Sequence, residues 1–177
     1  MRWGVFFFLL LFLTSPVYGQ EGSKGKLKVW SPAFDHTGRI PSAYTCDGAN
    51  INPPLRIESV PKEAKSLALV FDDLDAPRGS YVHWILWNID PRLKEIKEGS
   101  MPEGAIQGTN DFKKQTYGGP CPPGRAHRYA IDLYALDRLL PLGPEATKSD
   151  LERAMKGHIL DQARWVGTYK RQGPSKR

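Results

Sequence analysis

The chain has 177 residues, with 25 Lys and Arg against 19 Asp and Glu, for a formal charge of +6. That length suits one globular domain and is short for two, and 40% hydrophobic residues suffice for a real core. The basic excess is dispersed apart from Lys170, Arg171, Lys176 and Arg177, so it lacks the clustered, aromatic-interleaved stripe of a nucleic-acid binder and favours anionic ligands or surfaces in general.

An apolar run over residues 5–13 follows Arg2 and leads into Thr14-Ser15-Pro16-Val17-Tyr18-Gly19. It has signal-peptide length and is too short to span a bilayer comfortably. Val17 and Gly19 are small enough to precede a cleavage site, so residues 1–19 read as a signal peptide and 20–177 as a single domain with a basic tail from about 170. An uncleaved anchor is the alternative. The expectation is an exported protein, periplasmic or secreted, with no stable membrane insertion after cleavage. No cysteine follows the run, which argues against a lipoprotein anchor.

Along the mature chain, residues 26–30 alternate polar and apolar as a half-buried strand does. Residues 31–54 are turn-rich, with Phe34, Ile40, Tyr44 and Ile51 as apolar anchors, and 55–60 form a short strand ending at Pro61. Residues 66–71 and 82–89 are near-continuous apolar strands, the pattern of burial on both faces. Residues 90–107 form a long exposed connection, and 108–124 a second loop rich in Gly and Pro. A loop of that length in a small domain is usually functional or disordered, and its closely spaced prolines favour function. Residues 128–136 are a strand. A helix opens at Ser149, with Ser149 and Glu152 as its capping box and Leu151, Ala154, Met155, His158 and Ile159 on one stripe. Residues 164–169 close the chain as a strand. The fold class is therefore mostly β, bordering on α+β, without the β-α rhythm of a parallel nucleotide-binding sheet.

Strand alternation puts His83, Ile85, Trp87 and Ile89 on one face and Val82, Trp84, Leu86 and Asn88 on the other. The turn before this strand carries Asp72, Asp73 and Asp75. A carboxylate beside an imidazole favours the cationic ring and fixes its tautomer, so Asp73 or Asp75 is expected to orient and charge-balance His83. The plainer alternative is that Asp73 and Asp75 cap the turn while His83 packs. His127 and Tyr129 share a face two residues apart, behind the stiff Pro122-Pro123 wall. The expectation is that these two segments converge on one small, anion-sized pocket, with protonated imidazole strengthening binding at mildly acidic pH. No metal spacing, P-loop or dinucleotide fingerprint occurs, and Ser80 sits in no nucleophile elbow, so no metal, cofactor or catalytic residue is expected. Cys46 and Cys121 are too few for structural zinc; in an exported chain they can pair, the alternative being two free thiols near the pocket.

Several short motifs occur in order over most of the mature chain: S-P-A-F from Ser31, Y-T-C-D-G from Tyr44, N-P-P-L from Asn52 and D-L-D-A-P from Asp73. They continue with V-H-W from Val82, G-G-P-C-P-P from Gly118, H-R-Y from His127, L-Y-A-L-D from Leu133 and A-M-K-G-H-I-L from Ala154. In these the chain resembles the phosphatidylethanolamine-binding protein family, most closely its bacterial and archaeal Raf-kinase-inhibitor-like branch (YbhB/YbcL type). The resemblance implies a large central antiparallel sheet, a smaller second sheet and a peripheral helix. It further implies a pocket for phosphate-type head groups or other small anions at Asp73, Asp75, Ala76, Pro77 and His83, joined by Gly119, Cys121, Pro122, Pro123, His127 and Tyr129, with Tyr81 at the rim. Where the family usually has proline this chain has Leu74. The loop between Pro123 and His127 is short compared with eukaryotic members, which argues against carrying over their kinase-regulating partners. The reading is thus an exported binding protein for a phosphate or phospho-headgroup. Its alternatives are a protease- or kinase-inhibitor-like interaction module acting through surface loops, and, third, a hydrolase. A homodimer is possible by family likeness, and no protein partner is identified.

Overall fold

The computed structural model describes residues 26–77 and 79–171. The expected signal peptide and the end of the basic tail lie outside the described residues. Eight strands and one α-helix follow in order: β1 Lys28–Trp30, β2 Leu55–Glu58, β3 Ser66–Asp73, β4 Tyr81–Ile89, β5 Glu95–Ile96, β6 Ile106–Gln107, β7 His127–Leu136, α1 Lys148–Met155 and β8 Ile159–Tyr169. A short 3-10 helix, Ser42–Tyr44, lies between β1 and β2. The strands form two antiparallel sheets, a small one ordered β1-β2-β5 and a larger one ordered β6-β4-β3-β7-β8. This is the expected mostly β fold, with a large sheet, a smaller sheet and a peripheral helix.

The apolar runs explain the layering. In β3, Leu67, Leu69 and Phe71 enter a core shared with Leu55 and Ile57 of the small sheet, while Ala68 and Val70 enter a second core with Leu151 and Met155 of α1. A strand sandwiched on both sides is apolar at every position, and all eight residues of β3 are buried. Strand β7 has the same polarity: Tyr129, Ile131, Leu133 and Ala135 face the small sheet.

Strict alternation fails in β4. The β3–β4 register shifts between Phe71 and Asp72, a bulge that doubles two β4 residues onto one side. His83 therefore sits beside Phe71 and Tyr129, on the side of Trp84 and Leu86, while Ile85 and Trp87 enter the helix-side core. The expected grouping of His83 with Ile85 and Trp87 is corrected accordingly. A second irregularity falls at Asn88, whose φ of 57 is held by a reciprocal side-chain clasp to Leu140. The connection over 90–107 also differs from expectation, because it carries β5 and β6, which close the outer edges of the two sheets. Two-residue strands have no periodicity to detect. The final strand begins at Ile159, five residues earlier than alternation indicates, because its opening residues are largely exposed.

Helix α1 starts one residue before Ser149. Thr147 is its N-cap and Asp150 completes the capping box, so the Ser149–Glu152 assignment is shifted by two. The same first turn sends Lys148 to the buried Asp72 carboxylate on the helix side of β3, with Ser80 Oγ 3.2 Å away. Burial lifts the Asp72 pKa despite that contact, while for Lys148 the contact outweighs burial and lifts the ammonium. The two shifts point opposite ways for the pair's net worth, and Asp72 Oδ1 is left without a partner among the described residues. The pair is thus closer to a register pin than to a source of stability.

Candidate functional site

Three adjacent strands end together: Asp73 of β3 lies opposite Tyr81 of β4 on one side and Tyr129 of β7 on the other. Because 71, 73, 127 and 129 all point toward the small sheet, and the bulge turns His83 the same way, one carboxylate and two imidazoles collect at this end. A cavity of about 220 Å³ opens there, lined by Asp73, Ala76, Pro77, Tyr81, His83, Phe112, Cys121, Pro122, Pro123 and His127. It lies below the roughly 300–1,000 Å³ of pockets for drug-sized ligands.

Asp73 is buried and uses both oxygens. Oδ1 accepts from the Asp75 backbone N–H at 2.9 Å, and Oδ2 pairs with His127 Nδ1 at 2.7 Å. Turn cap and imidazole orienter are therefore the same residue. The expectation that Asp73 or Asp75 orients His83 is corrected: Asp73 contacts His127, and His83 Nδ1 donates to the Gly118 carbonyl at 2.6 Å. With Nδ1 of each ring so engaged, Nε2 is the nitrogen that each ring offers the cavity. Edge-on contacts from Phe71, Tyr81, Phe112 and Tyr129 surround His83 at centroid distances of 5.6, 5.6, 5.3 and 5.3 Å. Burial among these rings pushes the His83 pKa down, against the raising effects of the Gly118 carbonyl and the Asp73 charge. Burial thus favours the neutral ring over the cation expected from the nearby acids.

Two of the expected residues serve the walls instead. Asp75 turns away from the cavity and takes a bidentate contact from Arg128 at 2.9 and 2.8 Å, plus the Arg128 backbone N–H at 2.8 Å. The Arg128 guanidinium holds its carboxyl well below the usual range. Together with Leu74 N–H donating to the Arg128 carbonyl at 2.9 Å, this pins the turn to the start of β7. A proline at 74 could not make that last bond, so here hydrogen bonding replaces ring rigidity. Gly119 does not line the cavity either; a Cβ there would sit 2.6 Å from the Tyr44 carbonyl and 2.7 Å from Thr45 Cα. Its N–H donates to Asn50 Oδ1 at 2.8 Å, so it is the point where the proline loop presses on the 44–50 turn. The same juncture is stapled by the Cys46–Cys121 disulfide, Cα–Cα 5.3 Å, and by Tyr117 Oη donating to the Tyr44 carbonyl at 2.7 Å.

Tyr129 is the third departure. It is fully buried behind His83 and off the cavity wall, and its hydroxyl, although near Asp73, makes no well-formed hydrogen bond among the described residues. Burial, then the Asp73 charge, push its pKa up.

Sequence reasoning missed Phe112, Asn110 and Asp111. Phe112 stacks edge-on to Tyr81 at 5.0 Å and roofs the cavity; it is the lone large apolar residue among Thr109 to Thr116, which is the signal that was there to read. Asn110 is buried and donates to the carbonyls of His83 and Thr116 at 3.2 and 2.7 Å while accepting from Lys114 N–H at 3.0 Å. Asp111 accepts from Val82 N–H at 2.7 Å. The loop is thereby laced along the start of β4, and Gly118 N–H, bonded to the His83 carbonyl at 3.0 Å, delivers the carbonyl that orients the imidazole.

Fold and site together define a two-sheet β domain with a small histidine- and carboxylate-bearing cavity at one end of the larger sheet. The family model for phosphatidylethanolamine-binding protein matches residues 30–170, and the chain belongs to that family. It is 51% identical over 144 residues to a UPF0098 protein of Methanothermobacter thermautotrophicus, across 78% of this chain and 95% of that one. It is 43% identical over 152 residues to a UPF0098 protein of Aquifex aeolicus, across 82% and 89%. Among solved structures, a phosphatidylethanolamine-binding protein homologue of Chlamydia trachomatis superposes with a TM-score of 0.80 at 39% identity, covering 83% of this chain and 99% of that chain. YbcL of E. coli gives 0.78 at 24% identity, covering 84% and 100%, a likeness of fold. The bacterial and archaeal branch expected from the motifs is the one found.

Proposed function

We propose that this is a binding protein whose end-of-sheet cavity takes a phosphate-type head group or another small anion, and that it works outside the cytoplasm after loss of residues 1–19. The observation that carries the reading is the pair of imidazoles, His83 and His127, each anchored through Nδ1 at the wall of one 220 Å³ cavity. Its size excludes acyl chains and suits a head group. The aromatic and proline walls place apolar surface around the ligand, which strengthens a charge-assisted hydrogen bond at Nε2. A neutral His83 accepts from a ligand's own hydroxyl, as in a monoprotonated phosphate, or takes up a proton when a fully ionised anion enters. Asp73, already committed to His127, keeps that ring in register.

Calorimetric titration of inorganic phosphate and phosphoethanolamine into wild type, His83→Ala and His127→Ala tests this. Each variant should lose roughly 10- to 150-fold in affinity, the equivalent of about 1.5–3 kcal/mol for a hydrogen bond to a charged group. Equal affinity in all three proteins removes the proposed role.

A further inference from the structure

Strand β8 is the outer strand of the larger sheet, and its outer edge is closed over only half its length. From Val166 onward the segment His36–Ile40 lies against it: Val166 N–H donates to His36 Nδ1, Thr37 N–H to the Val166 carbonyl at 2.7 Å, Thr168 N–H to the Gly38 carbonyl and Ile40 N–H to the Thr168 carbonyl, both at 2.8 Å. These bonds show that the even-numbered residues of β8 turn their backbone groups outward, since successive residues in an antiparallel ladder alternate between neighbours. By the same alternation Gln162 and Arg164 face outward too. The Gln162 N–H is taken by Asp161 Oδ1 at 2.8 Å. The Gln162 carbonyl and the Arg164 N–H and carbonyl have no partner among the described residues.

A cavity of about 710 Å³ lies along this open stretch. Its lining includes Asp132, Tyr134 and Arg164 from one face of the sheet, and Ala163 and Trp165 from the other. One cavity can touch both faces only by passing round the sheet's edge, so it exposes those same backbone groups. The far wall is Lys26 to Trp30. Asp132 neutralises Arg164 through two contacts of 2.5 and 2.8 Å, and Lys28 meets only an exposed Glu58 at 3.9 Å. Lys26 has no ion pair among the described residues. Among the described residues the groove is therefore a free strand edge facing two exposed lysines, with the Asp161 carboxylate at one end held by the Leu27 and Gln162 N–H groups, and it shares no residue with the Asp73–His127 cavity.

We propose that this edge takes an extended, acidic peptide segment of a partner protein, which adds a sixth strand beside Gln162–Arg164 and sets its carboxylates against Lys26 and Lys28. Main-chain pairing supplies the affinity and the lysines the charge preference. Guarding the edge against association is the role that lysines beside an open strand play otherwise, and the following experiment separates the two.

The probes are the blocked peptides acetyl-Glu-Val-Glu-Val-Glu-amide and acetyl-Lys-Val-Lys-Val-Lys-amide, titrated into the folded protein and into Lys26→Glu/Lys28→Glu, with amide hydrogen exchange followed at Arg164. The acidic peptide should bind saturably, slow exchange of the Arg164 amide at least tenfold, and lose tenfold or more in affinity in the double variant. The basic peptide should leave that amide unprotected. Both lysines are exposed, so the variant keeps the fold, and unchanged phosphate binding verifies it. An Arg164 amide that stays fast with the acidic peptide, or equal binding of both peptides, overturns the proposal. So does an Arg164 amide already protected in the free protein and released on dilution, which assigns the edge to a second copy of the chain.

Discussion

At the residue scale, Tyr129 and His83 separate two roles that lie side by side. Tyr129 sits wholly under the site with a buried hydroxyl that makes no well-formed hydrogen bond among the described residues. Tyr129→Phe should therefore leave phosphate affinity within roughly twofold, and should leave stability unchanged or raise it by about 1 kcal/mol, since an unsatisfied polar group is removed; titration and urea unfolding check both. His83 behaves differently because its folded pKa lies below the 6.5 of a free imidazole. The unfolded chain then binds the proton more readily than the folded one. Its contribution is complete above pH 6.5 and is lost as pH falls toward the folded pKa. Melting curves between about pH 7.5 and about 5.5 should show wild type losing more stability than His83→Gln, and added phosphate should reverse the difference by favouring the cation. Parallel pH dependence of the two proteins contradicts the neutral assignment.

At the element scale, the site is a matter of how a long loop is held against β4. Residues 108–124 are tied by the Asn110 and Asp111 side chains, by Gly118 and Gly119, by Cys46 N–H to the Pro120 carbonyl and by the disulfide. Cross-linking residues 75 apart stabilises the fold by about 4–5 kcal/mol at the upper end of the chain-entropy account. Cys46→Ser/Cys121→Ser should accordingly lower unfolding free energy by up to that amount in urea, yet cost less phosphate affinity than His83→Ala, because the hydrogen bonds remain. Unchanged stability contradicts it. These ties also mark where sequence reasoning ran out. The doubly buried strands β3 and β7 were legible because their apolar runs and alternation are uninterrupted. The β4 bulge was not, since a register slip leaves no trace in composition, and it alone decides which face His83 joins. The helix was visible through Leu151, Ala154 and Met155, but His158 and Ile159 of the expected stripe lie past its end at Met155. Ser149-x-x-Glu152 is a capping pattern by spacing alone, whereas the hydrogen bonds are made by Thr147 and Asp150.

At the scale of the whole molecule, one sheet serves as the common floor. Its upper face, shared with the small sheet, ends in the anion cavity; its lower face is sealed by α1; its β8 edge is half closed. The order of motifs along the chain made the meeting of the 73–83 and 118–129 segments legible, and the family resemblance drew the outline of the pocket. What stayed hidden was the wiring inside it: Asp73 serves His127 and not His83, Asp75 serves Arg128, and Phe112 supplies a roof. Those assignments depend on side-chain directions at strand ends, which spacing alone leaves open.

The most direct test of the central claim is a nitrogen-detected NMR titration of the imidazole rings with inorganic phosphate near neutral pH. The account predicts that the Nε2 resonances of both His83 and His127 shift together and saturably, with His83 moving toward its protonated form while both Nδ1 resonances stay hydrogen-bonded. Saturable phosphate binding that leaves both Nε2 resonances in place contradicts it.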